Sequence, residues 1–156
     1  MSKKKATQKQ EGYTTYNIQK LDPREHIRRR PGMYVGGNDA RGLHHLFYEV
    51  LDNSVESAFV EKCNKIMVRL QADNFITLTD NDTLLSDFIA ENPWDDKHDM
   101  HALDVIMTQI GWNKFDDKAY QVTGGLHGLG LSAVNALCAE MTVMICRNNQ
   151  VWKRTY

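Results

Sequence analysis

Leu43-His44-His45-Leu46-Phe47-Tyr48-Glu49-Val50-Leu51-Asp52-Asn53-Ser54-Val55-Glu56-Ser57-Ala58-Phe59 is the stretch on which the fold turns. Its apolar residues fall at Leu43, Leu46, Phe47, Val50, Leu51, Val55, Ala58 and Phe59. That spacing of threes and fours predicts a long amphipathic helix. The polar side carries His45, Glu49 and Asn53, each four residues from the next, so the three stack along one face. A carboxylate between an imidazole and an amide suits the activation of water beside a metal. Glu49 can take the proton, His45 can orient or polarise Glu49, and the Asn53 oxygen can ligate Mg²⁺. Helix geometry alone favours a plainer reading, since most such stripes are solvated faces.

Upstream, Met1–Gly12 is rich in Lys and Gln with almost nothing apolar, and is expected to be a disordered basic leader. Asp22-Pro23 reads as a helix start, with Asp22 as N-cap, Pro23 in the first helical position and Glu25 at the capping-box position. Pro31-Gly32 is expected to end that helix. Downstream, Lys65–Leu70 and Phe75–Thr79 read as strands joined by the turn Ala72-Asp73-Asn74. Asp80–Lys97 reads as polar and irregular, Ala102–Ile110 as a second helix, and Gly111–Gly125 as a polar segment. A third helix is expected from Leu126 to Cys138. Strands Met141–Arg147 and Val151–Tyr156 then flank an Asn148-Asn149 turn. This is an α+β pattern, with helices on one face of a mixed or antiparallel sheet. The stop inside the last strand is expected of a piece of something longer.

At 156 residues the chain is one domain's worth, 42% hydrophobic, 25% charged and of net charge −1. That balance argues against a whole-domain electrostatic grip on nucleic acid. Cys63, Cys138 and Cys146 are odd in number and lack C-x-x-C spacing. A disulfide framework and a zinc ribbon are therefore not expected, and a cytoplasmic location is. No apolar run approaches a membrane span, and the start lacks a signal-peptide core.

Two further features bear on chemistry. Gly124-Gly125-Leu126-His127-Gly128-Leu129-Gly130 precedes an apolar helix. Glycines let backbone N–H groups approach an anion, and the helix start adds partial positive charge. The run matches neither a P-loop nor a dinucleotide-binding turn, and a tight turn with close helix packing explains it equally well. Asp80 ends a predicted strand, where its carboxylate can accept a hydrogen bond from the amino group of adenine. It can also cap a turn with Asn81, the commoner use of such a residue.

Taken in order, Arg30-Pro31-Gly32-Met33-Tyr34, Gly42-Leu43-His44-His45-Leu46, Glu49 through Ser54, Thr79-Asp80-Asn81 and Gly124 through Gly130 resemble the motif series of the GHKL ATPase superfamily. The first two segments, with Tyr120-Gln121-Val122-Thr123 before the glycines, resemble the B subunits of type II DNA topoisomerases, gyrase and topoisomerase IV. The resemblance implies a Bergerat α/β sandwich over residues 13–156, incomplete at its C-terminal end, with ATP and Mg²⁺ as cofactors. It implies Glu49 as general base, His45 as its support, Asn53 as Mg²⁺ ligand and Asp80 as adenine reader. The loop Gly124, Gly125, Leu126, His127, Gly128, Leu129 and Gly130 would wrap the phosphates, and Lys114 would reach the terminal one. Tyr13 and Ile18 resemble an arm that crosses to a second protomer, so ATP would close a homodimer. The topoisomerase A subunit and DNA would be the further partners.

The chain also departs from the family. After Asp80 the family runs D-x-G-R-G-I-P, whereas this chain reads Asp80-Asn81-Asp82-Thr83-Leu84-Leu85-Ser86. The arginine's usual acidic neighbour is replaced by Ser57, and the lid carries Trp112-Asn113-Lys114 where the family has glycines before its lysine. A dimerising or regulatory nucleotide-binding module without efficient hydrolysis is therefore the alternative to an ATPase. Transfer to a partner histidine is a third reading, disfavoured by the topoisomerase-type segments.

Overall fold

Asp39 begins the long helix. Its carboxylate accepts from the backbone N–H groups of Arg41 at 3.0 Å and Gly42 at 3.2 Å, two of the donors that a helix start leaves unpaired. The computed structural model describes residues 21–83, 89, 94–97, 100–110 and 129–156. Within it the helix α3 runs Ala40–Phe59, starting three residues before the apolar periodicity does. Gly42 is buried against the preceding turn, where a Cβ would collide with the Gly37 carbonyl. Leu43 and Phe59, read from periodicity as part of the apolar face, are 68% and 75% exposed at the two ends of the helix. The residues α3 buries fully are small ones, Gly42, Ser54 and Ser57.

Two short helices precede it. In α1 (Pro23–Arg29) the Asp22 carboxylate accepts from the Arg24 N–H at 2.9 Å, and Ile27 is buried. Glu25 pairs with Arg29 on the surface. Pro31-Gly32 ends α1 but does not end helical structure. The chain winds at once into α2 (Gly32–Val35), which closes on Gly36 at φ 75°, because proline is accepted at the start of a helix and glycine at its left-handed end.

The strands lie in antiparallel pairs. β1 (Ile66–Leu70) pairs with β2 (Ile76–Asp80), with Ile66 opposite Asp80 and Leu70 opposite Ile76, and the connection passes through Asn74 at φ 60°. β3 (Trp94–Asp95) and β4 (Met100–His101) form a two-residue pair that overlaps the segment read as irregular. β5 (Thr142–Arg147) and β6 (Gln150–Thr155) turn through Asn148 and Asn149, at φ 50° and 58°. Both values lie in the left-handed region that a two-residue I′ hairpin requires.

Two further helices are α4 (Ala102–Thr108) and α5 (Gly130–Leu137). The main core gathers Leu103, Ile106 and Met107 of α4 with Ile89 and with Ile145 of β5, and Trp152 and Tyr156 pack against it. Helix α5 is the hub: it packs on α1, α3 and α4 and buries Ala133, Val134 and Ala136. Arg28 of α1 donates to the Ala136 carbonyl at 2.6 Å, and Asn135 donates to the Met107 carbonyl at the end of α4 at 2.8 Å. Among the described residues no helix is long and apolar enough to cross a membrane.

Candidate functional site

The polar face of α3, the end of β2 and the start of α5 carry the sequence-derived residues that the structure describes. Glu49 sits half-buried on α3, and its carboxylate lies against Gly130 at the start of α5. A Cβ on Gly130 would collide with the Glu49 side chain, so glycine is what permits this approach. The N-cap position of α5 is Leu129, whose side chain makes no cap. An anion at this helix start would meet first-turn N–H groups and the helix's partial positive end.

Asn53 lies one turn beyond Glu49, and its amide nitrogen donates to the Glu49 carbonyl at 2.5 Å. Its side-chain oxygen is therefore the atom suited to a cation. Among the described residues no three His, Cys, Asp or Glu converge to hold a metal. A Mg²⁺ ion here would take Asn53 together with oxygens of a bound phosphate group, the kind of mixed site that Mg²⁺ favours. His45 is exposed one turn before Glu49, with its ring edge-on to Tyr48 at 6.4 Å between centroids.

Asp80, the last residue of β2, is held on both carboxylate oxygens. Ser54 of α3 donates its hydroxyl to Oδ2, and the Asp82 N–H donates to Oδ1 at 3.2 Å. Through Oδ1 Asp80 caps the local turn, the commoner use expected of it, and through Oδ2 it meets α3. Asn81 does local work too, accepting from the N–H groups of Asn64 at 3.1 Å and Lys65 at 2.9 Å and donating to the Asn64 side chain at 2.8 Å. Thr83, where the family has its arginine, donates its N–H to the Lys62 carbonyl at 3.1 Å, while Ser57 is buried on α3. Neutral hydrogen bonds stand where the family has a charged pair, and no lone charge is left behind.

Ser54 was not evident from the sequence as a site residue. The signal was a serine on the packed side of α3, which had to find a partner once buried. Tyr13, Lys114, Gly124, Gly125, Leu126, His127 and Gly128 lie outside the described residues.

The family model described as histidine kinase-, DNA gyrase B- and HSP90-like ATPase matches residues 38–154, a span that contains α3, β2 and α5. The chain belongs to this ATPase family. Within it, the B subunit of DNA gyrase from Haloferax volcanii is 44% identical over 147 residues, 92% of this chain and 22% of that protein. The B subunit of DNA topoisomerase 4 from Bartonella bacilliformis is 40% identical over 145 residues, 92% of this chain and 20% of that protein. The 43K ATPase domain of Thermus thermophilus gyrase B, solved in complex with an aminocoumarin, aligns with a TM-score of 0.66 at 31% identity, covering 87% of this chain and 32% of that one. The α+β ATPase fold expected from the sequence is the fold of this family member, and the chain spans roughly a fifth of the length of the gyrase and topoisomerase 4 relatives.

Proposed function

We propose that this chain is the ATP-binding and ATP-hydrolysing module of the B subunit of a type II DNA topoisomerase, with residues 13–156 as the ATPase domain. The observation that carries this reading is the meeting of the Glu49 carboxylate with Gly130 at the start of α5, on the helix that also reaches Asp80 through Ser54. This arrangement supports a reading in which a general base, a phosphate-binding helix start and an adenine-reading carboxylate serve one site. Asp80 accepts the amino group of adenine, and Gly124 through Gly130 surround the phosphates. Glu49, supported by His45, takes a proton from the attacking water. Lys114 meets the terminal phosphate. Asn53 would hold Mg²⁺, which when bound would supply charge neutralisation at the phosphates. Positioning and electrostatic stabilisation then carry most of the rate. Tyr13 belongs to an arm that joins a second copy, and closure of that homodimer is coupled to the A subunit and DNA in a larger assembly.

The deciding experiment measures phosphate release by the purified chain and by Glu49→Ala, with binding of a non-hydrolysable ATP analogue followed by calorimetry. Hydrolysis is expected to fall by at least about 100-fold, the scale of a lost general base, while binding persists. Binding with no Glu49-dependent hydrolysis would sink the enzyme reading and leave a nucleotide-binding regulatory module. Binding is expected to be lost in Asp80→Ala.

A further inference from the structure

We propose that Ser54 is a positioning residue for base recognition: its buried hydroxyl fixes the Asp80 carboxylate so that it selects a purine presenting an amino group. This inference rests on the nucleotide-binding reading above. Ser54 is 2% exposed in the middle of α3. A helical serine commonly satisfies itself on the carbonyl one turn back, but here the hydroxyl donates across to Oδ2 of Asp80, on another element. The second oxygen, Oδ1, receives the N–H of Asp82. The two oxygens are thus gripped by different parts of the fold, which opposes rotation about the Cβ–Cγ bond.

The backbone beneath is fixed as well. Asp80 pairs with Ile66 in the β1–β2 hairpin, and Asn81 is tied to Asn64 and Lys65. An ionised carboxylate has about four acceptor positions, and two donors leave room for an incoming N–H. The group accepts only. It therefore rewards an exocyclic amine and rejects a carbonyl at the same place, and the rejection is sharpest when the carboxylate cannot turn aside. Asp80 is itself exposed, so without Ser54 it is free to swing toward water. Asp82 contributes through its backbone N–H, which any non-proline residue keeps, so the discriminating side chain is Ser54.

The test compares calorimetric binding of two non-hydrolysable triphosphates, one carrying adenine and one carrying hypoxanthine, whose amine is replaced by a carbonyl. Wild type, Ser54→Ala and Ser54→Thr are titrated, with thermal midpoints recorded for each. Loss of a hydrogen bond to a charged group predicts that Ser54→Ala weakens the adenine ligand about tenfold and barely changes the hypoxanthine ligand. Ser54→Thr, which keeps the hydroxyl, restores the preference. Should the added methyl group or the lost hydroxyl unsettle the fold, Ser54→Ala in an Asp80→Asn background gives a second reading: the two changes are expected to combine to less than the product of their separate effects on adenine affinity. Equal weakening of both ligands, or strict multiplicativity of the two changes, overturns the proposal and makes Ser54 a packing residue. Unaltered discrimination in Ser54→Ala overturns it too, while leaving adenine reading by Asp80 intact. Wild type that binds neither ligand refutes the nucleotide-binding reading itself, and Asp80→Ala that binds like wild type refutes adenine reading by Asp80.

Discussion

Gly130 is the residue at which chemistry and packing cannot be separated. Its missing side chain makes the space that Glu49 occupies, so Gly130→Ala must push the Glu49 carboxylate off its place or part α3 from α5. A misplacement on the order of 1 Å can cost roughly 100-fold in rate. Gly130→Ala is therefore expected to lower phosphate release about 100-fold while the chain still folds. Turnover at the wild-type level would show that Glu49 does not act from this position. Glu49, Asn53 and Asp80 were candidates in the sequence through the resemblance of their motifs to those of the family, since residue type and spacing alone favoured a solvated face and a turn cap. Ser54 was not, because a serine acquires meaning only from what it meets, and its partner lies on a strand 26 residues further along.

Helix α4 depends on a titratable cap. The Nδ1 atom of His101 accepts from the Leu103 N–H at 3.1 Å, and Nε2 is buried with no partner among the described residues. Burial holds the His101 imidazole below its ordinary 6.5, and the Arg154 guanidinium adds to the effect while Asp104 opposes it. Asp104 itself receives the Tyr156 hydroxyl at 2.7 Å and lies 3.5 Å from Arg154. The sign follows from proton binding. Below about 6.5 the unfolded chain takes up the proton first, so the contribution of the neutral cap is complete above that value and is lost as pH falls toward the lowered folded value. Protonation also turns Nδ1 from acceptor to donor and breaks the cap. The urea midpoint is expected to drop as pH falls below about 6.5, and to drop less in His101→Asn, which keeps an acceptor but does not titrate. Parallel pH profiles for the two proteins would count against the cap as the cause. Among the elements, the helices other than α2 and both long hairpins could be read from periodicity, from caps such as Asp22-Pro23 and from turn residues such as Asn148-Asn149. The pair β3–β4 could not, because two-residue strands carry no periodicity, and α2 was hidden because Pro-Gly signals a stop as readily as a restart.

Over the whole molecule, α5 joins what the sequence keeps far apart. Arg28 reaches Ala136 across 108 positions, and Asn135 reaches Met107 across 28. Such pairings have no local signature, which is why helix α5 could be anticipated but its place as hub could not. The arrangement has a thermodynamic consequence. A ligand that seats between Asp80 and the start of α5 touches the helix on which α1, α3 and α4 all lean, so its binding energy is shared by the cooperative unit and not by one loop. With free ligand at 100 times its Kd, linkage adds about 2.7 kcal/mol to the unfolding free energy. A non-hydrolysable ATP analogue with Mg²⁺ is therefore expected to raise the thermal midpoint of the chain in a single transition, by an amount that grows with the logarithm of ligand concentration. Asp80→Ala should abolish the rise at the same concentrations, and should lower the unliganded midpoint as well, because the buried Ser54 hydroxyl loses the carboxylate it donates to. A midpoint that fails to move in wild type, at concentrations where calorimetry shows saturation, would mean that the ligand binds folded and unfolded chains alike. Two separating transitions would mean that α5 does not tie the site to the core, and the hub would have to be given up.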